Sequence, residues 1–97
     1  MNVMDLPFIL NGEACTCDIF VDNTENPCLV FVVLHGAGLV ANFGEEITIK
    51  TDCESLLPRR DDMPRLTHLR QAILDALLKR PEWMIVQRKY KHENKSR

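Results

Sequence analysis

The side chains in this chain with covalent or metal chemistry to offer are four cysteines and three histidines. Cys15 and Cys17 stand two apart, while Cys28 and Cys53 are isolated. Structural zinc sites use knuckles with two to four residues between ligands, and Cys15-Thr16-Cys17 has one. Two such thiols on an extended strand have Cα atoms about 6.6 Å apart, an awkward span for a disulfide. An even cysteine count invites a disulfide framework, but Met1 to Asp5 has no basic segment leading into an apolar core. A reducing cytoplasm is then the expected setting, where cysteine behaves as a small buried hydrophobe. His35, His68 and His92 fall on different elements, and His68 shares a helical turn with Arg65. The expectation is therefore core thiols, no metal, no cofactor, no catalytic residue and no enzyme activity.

Leu34-His35-Gly36-Ala37-Gly38 follows an apolar strand. It resembles the loop that supplies part of the oxyanion hole in α/β-hydrolases, where glycines let backbone N–H groups approach a developing negative charge. The resemblance covers five residues. The Gly-x-Ser-x-Gly elbow is missing, the only serines are Ser55 and Ser96, and 97 residues are too few for that fold. These glycines are better read as a bulge or turn.

Charge separates along the chain. Residues 1–56 hold nine acids against the one base Lys50, a net of −8, and residues 57–97 hold eleven bases against five acids, a net of +6. Such asymmetry bears on partners rather than on fold. Arg59, Arg60, Arg65 and Arg70, with a tail containing Arg88, Lys89 and Lys91 around Tyr90, could contact phosphates. The acidic half argues against a general polyanion binder, so nucleic acid ranks as the alternative partner.

The elements that must position these groups follow from period and turn chemistry. Asn11-Gly12 between apolar runs marks a two-residue hairpin, pairing Leu10 with Glu13, Phe8 with Cys15 and Leu6 with Cys17. Leu6, Phe8, Leu10, Cys15, Cys17, Ile19 and Val21 then share an oily face, and Thr16, Asp18, Phe20 and Asp22 the wetter one. Asp22 to Pro27 is a loop by composition. Cys28 to Leu34, the longest apolar stretch, is β-branched on both faces and suits a central strand; it falls far short of the ~18 residues a membrane helix needs. The pattern from His35 to Gly44 favours a continued strand with a bulge near Gly36 and Gly38, turning at Asn42-Phe43-Gly44. Ile47 and Ile49 point inward on the next strand.

After a connector from Asp52 to Asp62, a helix begins between Asp62 and Pro64 and runs to about Arg80, stopped by Pro81. Leu66, Leu69, Ile73, Ala76 and Leu77 form its stripe, while Arg65, Arg70, Asp75 and Lys79 point away. Burying four Leu/Ile side chains at roughly 1.5–3 kcal/mol each outweighs an Asp75–Lys79 pair of a few tenths. Trp83 to Val86 reads as a short last strand, and 87–97 as a basic, flexible tail.

Composition is ordinary for a globular chain, 45% hydrophobic and 27% charged. The expected architecture is α+β: a two-layer fold with an antiparallel sheet of about five strands, in the order ββββαβ, and one long helix on one face. Residues 1–86 would form one domain. One helix covers one face, so the other face of the 28–34 strand needs cover from elsewhere. The expected role is a non-catalytic protein-interaction or assembly module, binding another protein or itself as a homodimer, with no membrane. Its expected interaction residues are Phe20, Val30, Val32, Arg59, Arg60, Arg88, Lys89 and Lys91.

Overall fold

The hairpin forms at the expected turn. In the computed structural model, β1 (Asn2–Leu10) and β2 (Glu13–Asp22) pair with Leu10 opposite Glu13, Phe8 opposite Cys15 and Leu6 opposite Cys17. Asn11 and Gly12 have φ of 51° and 83°, as a type I′ turn requires. β3 (Cys28–Leu34) and β4 (Glu46–Thr51) complete a four-stranded antiparallel meander in the order β1-β2-β3-β4. The structure describes residues 2–22, 28–52 and 64–95, with side chains through position 88. The 23–27 loop, Cys53, Arg59, Arg60 and most of the 52–62 connector lie outside these residues.

The class is α+β, but two segments expected as strands are helical. Residues 37–43 form α1 (Ala37–Phe43), where a bulged strand was expected. Gly36 and Gly44 take φ of 93° and 89° at its two ends, and the Gly44 N–H closes on Val40 O at 2.9 Å. The apolar Leu39-Val40-Ala41 run resembles a strand, yet Leu39 and Phe43, four apart, pack against the core from a single helical turn. Trp83 to Val86 is likewise not a fifth strand but the start of α3 (Pro81–Lys95). There, Trp83 and Val86 are buried while Met84 and Ile85 are exposed, a spacing of three rather than two. Pro81 thus plays two parts: it ends the preceding helix and occupies the first position of the next. Val86, the expected domain boundary, falls within α3, whose backbone is helical to Lys95.

The long helix, α2, spans Pro64–Leu78. It buries Leu69, Ile73, Leu74 and Leu77 against the sheet, with Leu66 and Ala76 half-buried beside them. The three helices and the inward side chains of all four strands contribute to one apolar cluster. Arg70 corrects the sequence reading: it does not point away but is 4% exposed, and its Nε donates to Thr48 O at 3.0 Å. Among the described residues β4 is an edge strand, and no strand pairs with its outward carbonyls. Arg70 satisfies one of them. Arg70→Ala is therefore expected to cost about 1.5–3 kcal/mol, the range for a charge-assisted hydrogen bond. Urea unfolding followed by circular dichroism checks this; a loss below ~0.5 kcal/mol would mean the contact adds nothing.

The opposite edge, β1, is guarded differently. In the observed register, Pro7 sits at a position whose N–H would point away from β2, so its missing donor breaks no ladder bond. A bulge follows toward the N-terminus. Val3 pairs with Ile19 and Leu6 with Cys17, so β1 carries one extra residue, and Asp5 takes φ 54°. The bulge turns both Val3 and Leu6 inward and leaves Met4 and Asp5 exposed.

Candidate functional site

The sheet face turned away from the helices holds the groups the core does not absorb. Its rows follow from the register. The middle row is Phe20, Phe31 and Thr48. On one side of it lie Asp18, Val33 and Glu46, and on the other Asp22, Leu29 and Lys50. Phe31 is 41% exposed, and Phe20, Leu29 and Val33 are half-buried. This apolar strip crosses β2 and β3 with charge at both ends. Lys50 is the one Lys or Arg on it among the described residues.

Of the residues expected to make contacts, Phe20 lies on this strip. Val30 and Val32 do not: they are 0% and 1% exposed and belong to the core, because the inward positions of β3 are the even ones. The outward set is Leu29, Phe31 and Val33. Arg88 is exposed on α3, and Lys89 and Lys91 belong to the same helix.

A polar cluster that sequence reasoning missed sits where β3 ends. The His35 N–H bonds back to Thr16 O at 3.3 Å, which turns the ring over β2. His35 Nδ1 lies 2.9 Å from Thr16 Oγ1 and 3.6 Å from Asp5 Oδ1, and His35 Nε2 lies 3.1 Å from Asp18 Oδ2. The Asp5 backbone N–H donates to Asp18 Oδ1 at 3.0 Å, an approach that the β1 bulge makes possible. That bond first, and the His35 contact second, hold the Asp18 carboxyl below its ordinary value. One atom from each of Asp5, Asp18 and His35 falls within 4.8 Å of the others. Nε2 faces Asp18, while Nδ1 has Thr16 Oγ1 as its hydrogen-bond neighbour and Asp5 beyond it. The only sequence hint is that Asp tolerates positive φ better than most residues.

Three of the cysteines lie in or beside the core: Cys17 and Cys28 are buried and Cys15 is half-buried. Burial first, then the neighbouring Asp18 and Cys15, push the Cys17 thiol up to about 12. Gly36, the first glycine of the loop that resembles an oxyanion hole, serves as the cap of α1. On the helical side, a groove of about 490 Å³ runs between β1 and α2, lined by Pro7, Phe8, His68, Ala72, Ala76 and Lys79 among others. Among the described residues, no helix is long and apolar enough to cross a membrane.

No family model, curated protein or solved structure matches this chain.

Proposed function

We propose that this protein is a non-catalytic interaction module that docks a partner on the outer face of its sheet. The observation that carries the reading is the Phe20–Phe31 pair, flanked by Leu29 and Val33 on the face opposite all three helices. An aromatic and aliphatic strip at the centre of a sheet, rimmed by Asp18, Asp22, Glu46 and Lys50, has the anatomy of a protein interface: an apolar middle and a charged border. Nucleic-acid binding ranks second: of the arginines it would draw on, Arg70 is buried against β4 and Arg65 lies over the Phe43 ring.

Photo-cross-linking tests the docking face. A benzophenone side chain placed at Phe31 and activated in cells is expected to give discrete protein adducts. The same group at Gln71, exposed on α2, is expected to give none. Absence of any adduct at position 31 would refute the reading.

A further inference from the structure

We infer that Asp5, Asp18 and His35 form a binding site for one divalent transition-metal ion of the zinc or manganese kind. The inference goes beyond the docking reading and does not depend on it. One ligand atom from each residue lies within 4.8 Å of the others, about twice a metal–oxygen bond and so a span that a single ion bridges. The three come from separate elements: Asp5 from the β1 bulge, Asp18 from the outward face of β2, and His35 from just after β3. The bulge draws the two acids together, with the Asp5 N–H on Asp18 Oδ1 at 3.0 Å. Neighbouring carboxylates repel unless a cation lies between them. Among the described residues, the side chain that pairs with either carboxylate is His35, and no Lys or Arg does so. With a neutral imidazole the cluster holds two negative charges, which one divalent ion balances.

The contacts around the ring are those of a ligand already oriented. His35 Nε2 lies 3.1 Å from Asp18 Oδ2, and an ion with bonds of about 2.1 Å sets neighbouring ligand atoms about 3.0–3.4 Å apart. Nδ1, 2.9 Å from Thr16 Oγ1, has that hydroxyl to receive its proton. Such a bond to the far nitrogen of a ligating histidine fixes the tautomer, here the one that turns the Nε2 lone pair toward Asp18. On Asp18, the Asp5 N–H takes up Oδ1 and leaves Oδ2 for the ion. Asp5 is the movable ligand. Its side chain is 82% exposed with Oδ1 3.6 Å from Nδ1, so rotation about its side-chain bonds brings a carboxylate oxygen to the ion. Water completes the coordination. One nitrogen and two carboxylates favour first-row transition ions over calcium, which takes about six to eight oxygens.

Calorimetric titration of the full chain with zinc chloride tests the inference, and one zinc per chain is expected to bind. Asp5→Asn removes a charged ligand but keeps the backbone N–H and a residue that tolerates positive φ, so the fold stands; circular dichroism verifies this. Zinc should bind that variant at least about tenfold more weakly, since even the outer contacts of a metal ligand are worth about 10–100-fold in affinity. His35→Gln should lose as much, and Cys15→Ser, which removes a nearby thiol, should change nothing. Manganese is paramagnetic and should broaden the amide signals of residues 5, 18 and 35 while sparing Trp83, which lies in the core on the other side of the sheet. Failure to bind zinc at millimolar concentration, wild-type affinity in either Asp5→Asn or His35→Gln, loss of binding in Cys15→Ser, or calcium held as tightly as zinc would overturn the inference. None of these outcomes bears on the cross-linking at position 31, so the metal site and the docking face fail separately.

Discussion

Replacing Trp83 with alanine is expected to cost about 3–5 kcal/mol, the range for deleting a buried aromatic side chain. Trp83 is 0% exposed and is the largest fully buried side chain in the described core. It sits in the first turn of α3, and with Val86 it fixes that helix to the α2–sheet layer. A domain of this size has about 5–15 kcal/mol of net stability, so the loss removes a large share of it. Urea unfolding monitored by far-ultraviolet circular dichroism is the measurement. Ile85→Ala, at a position 71% exposed on the same helix, should stay within about 0.5 kcal/mol of wild type. A Trp83→Ala variant as stable as Ile85→Ala would show that α3 is not part of the folded core.

Alkaline pH should expose the burial of Cys17 as a loss of stability. The folded thiol titrates at about 12 against an unfolded value of 9.0. Between those values the unfolded chain gives up a proton that the folded chain keeps. Because the folded value is the higher, stability is fully present below pH 9 and falls as pH rises toward 12. One proton limits the slope to about 1.4 kcal/mol per pH unit. Other groups titrate in the same window, so the informative quantity is the difference between wild type and Cys17→Ala. The variant should lose stability less steeply above pH 9. Identical slopes would place the thiol in contact with water, contrary to its position facing the helices.

The hairpin, its register and the oily face of β2 were legible because they depend on local chemistry. A two-residue Asn-Gly turn accepts one register, and period-2 alternation then assigns each side chain to a face. The centre of α2 was legible for the same reason at period 3.6. Short apolar segments were not. Leu39-Val40-Ala41 and Trp83-Met84-Ile85-Val86 are too brief for periodicity to separate strand from helix, and β-branched and aromatic content tips the reading toward strand. What decided them was the layer they had to reach: α1 and α3 each bring two side chains onto the inner face.

Arg70 and Asp5 show a different limit. An arginine on a helix reads as solvent-facing, and the Thr48 carbonyl of β4, more than twenty residues away in sequence, gives it an acceptor. Asp5 joins His35 and Asp18 only because a bulge adds one residue to β1, and a bulge leaves little trace in residue types. The apolar excess of Phe20 and the 28–34 strand could be read directly. Which valines it comprised could not, because choosing the exposed set requires knowing on which side the helices lie.

By itself, the sequence determined the turn at residues 11 and 12, the alternation of β2, the apolar stripe of α2, and the separation of acids from bases. These depend on contacts within a few residues or on composition. Tertiary structure alone decided that Pro81 joins two helices, that Arg70 closes a sheet edge, that His35 lies between two carboxylates, and that Leu29, Phe31 and Val33 form the outer strip. Each of these brings together groups far apart along the chain, and their meeting is set by how the layers stack.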